Sequence, residues 1–137
     1  MSTLYLLDTN VLAELQKGEA HADRDVWQFL LDNEWLIPSP VLAEVQDGIS
    51  RLAGGRRRTK LQADFDQIID EYAPCLVGFS PEDALTWGQQ KHSPAVKRQP
   101  QSTWDSLLDA MTSRRGAVLA TRNQGDFRNC QTHNPFG

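Results

Sequence analysis

The chain has 137 residues, of which 39% are apolar and 23% charged, as expected for one soluble α/β or α+β domain. Its net charge of −4 argues only mildly against a nucleic-acid binder, because the basic residues include a local cluster of Arg51, Arg56, Arg57, Arg58 and Lys60. No apolar run approaches the roughly 18–20 residues of a membrane span, and the N-terminus lacks the basic region of a signal peptide, so a cytoplasmic protein is expected.

The first half of the chain alternates short apolar runs with helical patterns. Leu4–Leu7 predicts a buried strand, after which Val11, Leu12 and Leu15 have helical spacing up to a stop at Gly18. Beyond this, the pattern predicts a helix over 22–33, a strand over 35–37, a helix from the N-cap Ser39 to about Leu52, and a helix over 57–72.

The second half continues this alternation. Pro74 precedes a predicted strand over 75–79, and Ser80 begins a helix that continues over 84–90. Residues 93–101 hold two prolines and few apolar residues, so a loop is predicted there. A helix over Thr103–Arg114 and a final buried strand over 117–120 complete a pattern that predicts a parallel sheet with helices on both faces.

Four acidic residues are candidates for a functional site, namely Asp8, Glu44, Asp105 and Asp126. Each has a simpler alternative: Asp8 suits a helix N-cap, Asp105 suits a capping box with Ser102, Asp126 suits a polar turn, and Glu44 flanks an apolar helix face. Asp8 and Asp126 nevertheless follow predicted strands, and Asp105 begins a helix. These positions meet at the carboxyl edge of a parallel sheet, where such folds bind their ligands.

Carboxylates gathered at one edge repel one another unless cations intervene, and Mg²⁺ and Mn²⁺ prefer such oxygen ligands. The three histidines, His21, His92 and His133, form no pattern with the acids and are predicted to lie on the surface. Cys75 and Cys130 have no metal-type spacing and are predicted to be buried reduced thiols. With no histidine base, a metal-bound water of lowered pKa is the plausible nucleophile, which points to phosphodiester hydrolysis.

Several segments together carry a resemblance to a known family: LLDTNVLAEL, LIPSPVLAEVQDGISRL, WDSLLDAM and LATRNQGDF. In this order they resemble the PIN-domain ribonucleases, and most of all the VapC and FitB type of toxin in bacterial toxin–antitoxin pairs. The resemblance covers essentially the whole chain. It implies a single domain over 1–137, a three-layer α/β/α fold around a short parallel sheet, and RNA cleavage that depends on Mg²⁺ or Mn²⁺.

The resemblance also implies roles for particular residues and partners. The family's four catalytic, metal-binding acids fall on Asp8, Glu44, Asp105 and Asp126. In the family, polar residues orient these acids, and Thr9, Asn10, Ser39 and Thr121 of this chain are similar to them. Asn123 lies close to the same site. The family's usual partner is a cognate antitoxin protein, and its members usually form homodimers.

The basic residues Arg56, Arg57, Arg58, Lys97 and Arg98 are candidates for contacts with RNA phosphates. The alternative for the three arginines is a solvated helix start. The loop before Asp105 lacks the glycine that family members often carry there.

Asp109 departs from the family, whose members usually carry a small residue at this position. It lies one helical turn after Asp105, so it is expected either to add negative charge to the pocket or to pair with a nearby Arg. A catalytically degenerate PIN-like module that binds protein or RNA remains the alternative function. A phosphorylated receiver fits less well, because Asp8 has no acidic neighbour and Arg122 stands where a Lys is expected.

Overall fold

The computed structural model describes residues 2–137 and is built around a five-stranded parallel sheet with the strand order β3-β2-β1-β4-β5. The strands are β1 (Leu4–Leu7), β2 (Glu34–Pro38), β3 (Leu76–Val77), β4 (Val118–Ala120) and β5 (Gln131–His133). The central strand is the apolar LYLL segment, whose Leu6 and Leu7 are completely buried. An unbroken apolar run of this kind is typical of a strand with both faces covered.

Seven helices lie between the strands in the described part of the chain: α1 (Thr9–Lys17), α2 (Arg24–Asp32), α3 (Ser39–Ser50), α4 (Arg56–Glu71), α5 (Pro81–Gln90), α6 (Pro94–Arg98) and α7 (Thr103–Arg114). Short 3₁₀ turns cover Ala73–Cys75 and Gln124–Asp126. From β1 to β3 the chain moves outward in one direction, and it then returns past β1 to β4. Right-handed crossovers therefore place the helices before and after β3 on opposite faces, and the predicted α/β fold is confirmed.

Local signals account for where most helices begin and end. Asp8 caps α1, and Gly18 ends that helix in a conformation with a φ of 79°. Ser80 begins α5 with a complete capping box, in which its hydroxyl accepts the N–H of Asp83 and the Asp83 carboxylate accepts the N–H of Ser80. The bounds predicted for α7 agree with the structure. No helix of residues 2–137 is both long and apolar enough to cross a membrane.

Two predictions about the helices are wrong. The predicted loop over 93–101 contains the helix α6, because the Ser93 hydroxyl accepts the N–H of Val96 and Pro94 occupies the first helical turn. Ser39 is not the N-cap of α3. That position belongs to Pro38, and the Ser39 hydroxyl accepts the N–H of Phe79 at 3.0 Å.

The strand over 117–120 is not the last one, because β5 pairs beside it. This edge strand is the polar segment Gln131-Thr132-His133, which lacks the apolar run of a buried strand. Cys75 and Cys130 are free thiols, as predicted, but both are only partly buried. The three histidines lie on the exposed surface, as predicted.

Candidate functional site

A narrow crevice at the carboxyl edge of β1 brings three of the four candidate acids together. It is lined by Asp8, by Pro40, Val41 and Glu44 from the start of α3, and by Trp104, Asp105 and Leu108 from the start of α7. Each acid reaches the crevice because a local signal begins its helix there: Asp8 caps α1, Pro40 occupies the first turn of α3, and Ser102 caps α7.

Asp8, which follows β1, is held by the first residue of α1 and by Thr121, which follows the neighbouring strand β4. Its side chain is 6% exposed, and it accepts the backbone N–H of Thr9 and the hydroxyl of Thr121, both at 2.7 Å. The Asn10 amide lies 3.4 Å from both the Asp8 carboxylate and the Thr121 hydroxyl. Burial raises the pKa of Asp8, and the negative charge of Asp126 raises it further, although these hydrogen bonds oppose the change.

Glu44 is joined to α1 by a short hydrogen bond that the Thr9 hydroxyl donates to its Oε1. Thr9 therefore supports two acids at once, since its backbone N–H binds Asp8. Ser39 is the exception among the predicted orienting residues, because its hydroxyl binds the Phe79 backbone and forms no hydrogen bond with any of the four acids.

Asp105 lies at the start of α7, where its backbone N–H donates to the Ser102 hydroxyl at 3.1 Å. Burial raises the pKa of its carboxyl to about 6, and the negative charges of Asp8, Asp126 and Glu44 contribute to the same increase, while Ser102 opposes it. Each of the other three candidate acids therefore lies close enough to Asp105 to act on it electrostatically.

Asp126 is exposed and lies in the 3₁₀ turn that follows β4. The preceding residues are attached to the Asp8 side of the site by their backbones. The N–H of Arg122 donates to the Asn10 side chain at 3.1 Å, and the N–H of Asn123 donates to the Thr121 hydroxyl at 3.0 Å. Asn123 therefore contributes a backbone contact here.

The four acids have no cationic partner, since the ion pairs within residues 2–137 involve other carboxylates. Their oxygen-only donor set fits a hard divalent cation such as Mg²⁺ or Mn²⁺. In the arrangement observed for residues 2–137, no three Asp, Glu, His or Cys side chains converge tightly enough to hold one ion. Closer convergence would require side-chain rotation, and Asp126 is the exposed member of the four.

Asp109 is completely buried and does not line the crevice. Neither of the two roles predicted for it is observed, because the carboxylate accepts backbone N–H groups of residues 128–130 instead of an Arg guanidinium. Sequence reasoning also missed Gln101, whose side-chain amide donates to Asp109 at 2.9 Å. A loop glutamine gives no signal of such a contact, since the partner is brought near only by folding. Burial raises the pKa of the Cys130 thiol well above its usual range, and the negative charge of Asp109 raises it further.

The candidate RNA-binding residues lie outside the crevice. Arg56, Arg57 and Arg58 form the first turn of α4, and Arg58 borders a different depression, beside Gly54 and Gly55. Lys97 and Arg98 are exposed at the end of α6, and neither forms an ion pair within the described part of the chain.

The raised pKa of Asp105 leads to a prediction about stability. Because the folded pKa of about 6 exceeds the ordinary value of about 4, the favourable contribution of this group is complete below about pH 4 and is lost as the pH rises through 6. Without metal, Asp105→Asn is expected to raise the free energy of unfolding near pH 7.5 by about 1 kcal/mol, with no gain near pH 4. Urea denaturation at the two pH values measures this difference. The exposed Asp70→Asn is the control, and a less stable Asp105→Asn near pH 7.5 would contradict the prediction.

Comparison with known proteins agrees with this architecture. The family model described as PIN domain matches residues 5–130. Plasmid stability protein StbB from Pseudomonas syringae pv. tomato is 25% identical over 126 residues, which cover 90% of this chain and 91% of that protein. The crystal structure of FitAcB from Neisseria gonorrhoeae has a TM-score of 0.75 at 22% identity, covering 96% of this chain and 97% of that chain.

The crystal structure of VapBC2 from Rickettsia felis, bound to a DNA fragment from its promoter, has a TM-score of 0.73 at 21% identity. The match covers 96% of this chain and 98% of that chain. At these identities the solved structures establish a shared fold, while the family model extends over nearly the whole chain. The resemblance inferred from the sequence is thereby confirmed, and the chain belongs to the PIN domain family.

Proposed function

We propose that this protein is a metal-dependent endoribonuclease that acts in the cytoplasm as the toxin of a type II toxin–antitoxin pair. The observation that carries the proposal is the group of four carboxylates at the carboxyl edge of the sheet, which has no cationic partner within residues 2–137. Mutual repulsion raises the pKa of Asp105 in addition to burial, and a divalent cation would relieve it. Membership of the PIN domain family and the match with StbB support the same function.

In this proposal Asp8, Glu44 and Asp105 hold one Mg²⁺ or Mn²⁺ ion, and Asp126 completes its coordination or helps to hold a second ion. When bound, the ion supplies a water of lowered pKa and a Lewis acid for the phosphate. The Thr9 and Thr121 contacts orient Asp8, and the Thr9 hydroxyl orients Glu44. The exposed Lys97 and Arg98, and the arginines at the start of α4, contact RNA phosphates and position the RNA without reading its sequence.

Metal-dependent cleavage of RNA tests this function. Purified protein is stripped with EDTA, incubated with a mixture of structured and single-stranded RNAs, and then supplied with Mn²⁺ or Mg²⁺. We expect cleavage only after metal is added, because in the proposed mechanism the ion lowers the pKa of the attacking water. Equal cleavage in EDTA and in Mn²⁺ would contradict the metal-dependent mechanism.

The second candidate function is a catalytically degenerate module that keeps the PIN fold. It is favoured by one observation, that no three potential ligands within residues 2–137 converge on one point. Thermal melting during a Mn²⁺ titration separates the two candidates, because a ligand that binds the folded state stabilises it by mass action. A nuclease is expected to melt several degrees higher in excess Mn²⁺, whereas a degenerate module is expected to show no shift.

The proposal includes a cognate antitoxin and a homodimer. A crevice between α1, α3 and α4, lined by Ala13, Val45, Ile49 and the 37% exposed Leu61, offers an apolar surface for an antitoxin helix. A basic side chain from the antitoxin would pair with the acids of the site. Size-exclusion chromatography of the purified chain tests the dimer, and a monodisperse monomer would count against it.

A further inference from the structure

Asp109 is a fully buried carboxylate that the proposed chemistry does not use. It lies in α7, one helical turn after Asp105, with 0% of its surface exposed. No Lys or Arg side chain pairs with it within residues 2–137. A buried carboxylate without a counter-ion is strongly destabilising unless hydrogen bonds replace those it made with water.

Those hydrogen bonds come from three consecutive backbone N–H groups. The N–H of Arg128 donates to Oδ2 at 2.9 Å, that of Cys130 to Oδ1 at 2.8 Å, and that of Asn129 to both oxygens at 3.2 Å. Successive N–H groups that converge in this way form a concave anion site, and the anion here is a side chain of the same protein. Asp109 thus holds the segment that joins the Asp126 turn to β5.

Gln101 extends this network directly to the backbone of Asp126. Its side-chain amide donates to the Asp109 carboxylate at 2.9 Å and to the Asp126 carbonyl at 3.0 Å. The Arg128 guanidinium makes two further contacts with the backbone. Its Nε donates to the Gln99 carbonyl at 3.1 Å, and its Nη1 donates to the Gly125 carbonyl. The peptide groups before and after Asp126 therefore each accept a hydrogen bond from a side chain.

We infer that Asp109 is a positioning residue that fixes segment 124–130, and thereby keeps the Asp126 carboxylate beside Asp8 and Asp105. The expected effect on metal binding rests on the proposed function. That Asp109 holds the segment follows from the hydrogen bonds alone. Asp109 acts through Asp126 and does not touch substrate or metal. An alanine at this position would leave the three N–H groups without this acceptor.

Asp109→Asn tests the inference, and Asp83→Asn is the matched control. Asp83 is likewise a completely buried carboxylate, but it lies in α5 and is bound by Ser80, Arg114 and Arg115. Hydrogen–deuterium exchange, at a temperature where both variants are folded, is expected to be at least about tenfold faster at amides 128–130 in Asp109→Asn only. By calorimetry, Asp109→Asn is expected to weaken Mn²⁺ binding about tenfold to a hundredfold, and Asp83→Asn to leave it unchanged.

A double-mutant cycle tests whether Asp109 acts through Asp126. If it does, adding Asp109→Asn to an Asp126→Ala variant is expected to change the Mn²⁺ dissociation constant by less than about twofold. An undiminished effect in that background would overturn the role through Asp126. Should Asp109→Asn fail to fold, Gln101→Ala removes the amide that donates to both the Asp109 carboxylate and the Asp126 carbonyl, and it is expected to give the same changes, smaller in size.

The outcomes separate this inference from the proposed function. Unchanged exchange at residues 128–130 in Asp109→Asn, or in Gln101→Ala where the first variant does not fold, overturns the inference. Wild-type protein that binds no Mn²⁺ and cleaves no RNA overturns the proposed function, and in that case faster exchange in Asp109→Asn still supports the holding of the segment.

Discussion

Asp8→Asn is expected to lower the rate of Mn²⁺-dependent RNA cleavage on the order of a thousandfold while leaving the fold intact. Asp8 is the most deeply buried of the four candidate acids, and its orientation is fixed by Thr9 and Thr121. An asparagine at this position keeps one oxygen but loses the negative charge that would bind the cation. The remaining three acids are not expected to compensate, because none of them lies at the end of the central strand.

Retained stability is the second half of this prediction. Asn is as good an N-cap as Asp, and the Thr121 hydroxyl can rotate to accept a bond from the new amide. Burial raises the pKa of Asp8, so removing its charge also relieves a desolvation cost. We therefore expect a thermal melting temperature equal to or above that of the metal-free wild type.

RNA cleavage and thermal melting are measured on the same preparations, with the exposed Asp70→Asn as the control. The control is expected to match the wild type in both measurements. Equal cleavage by the wild type and Asp8→Asn would refute the catalytic assignment. It would also point to a contaminating nuclease if the activity did not elute with the protein.

Asp83→Ala is expected to lower the free energy of unfolding by roughly 3 kcal/mol, or about 10 °C in melting temperature. The carboxylate is completely buried, accepts the N–H of Ser80 at 2.8 Å, and bridges to the Arg114 and Arg115 guanidinium groups, each at 2.6 Å. It connects the start of α5 with the end of α7. Truncation leaves two partly buried arginines without their counter-ion, which costs more than the ion pair itself contributes.

The loss of stability in Asp83→Ala depends on pH, in a direction that follows from the pKa of Asp83. Burial alone would raise this pKa, but the hydrogen bonds from Arg115, Ser80 and Arg114 outweigh burial and hold it well below its usual range. A lowered folded pKa contributes stability that is complete above about pH 4 and is lost as the pH falls further. The gap between wild type and Asp83→Ala is therefore expected to be largest near pH 7 and to narrow near pH 3.

Urea denaturation at the two pH values measures this gap. The exposed pair of Lys60 and Asp64 supplies the control, because Asp64→Ala removes a carboxylate from an i,i+4 pair on the surface of α4. Such pairs contribute at most about 0.5 kcal/mol. An Asp83→Ala variant as stable as Asp64→Ala would show that the buried ion pairs contribute little to the fold.

Features that depend on residues close together in the chain were predictable from the amino-acid sequence. The apolar run Leu4–Leu7 predicted the central strand, and the cap at Ser102 with the pattern after it predicted α7 to the residue. Strands and helices in alternation predicted the parallel sheet and hence the common edge at which Asp8 and Asp105 lie. These predictions succeed because apolar periodicity and capping act over a few residues.

The hydrogen-bond partners of the polar groups, in contrast, became known from the folded structure. The edge strand β5 was missed because its polar residues pair with β4 and bury little apolar surface. Ser39 looked like a helix cap, yet its hydroxyl binds the backbone of Phe79, 40 residues away. Asp109 binds a backbone segment about 20 residues further along the chain. A buried hydrogen bond depends on which distant backbone folding brings to the donor or acceptor, and no local pattern encodes that choice.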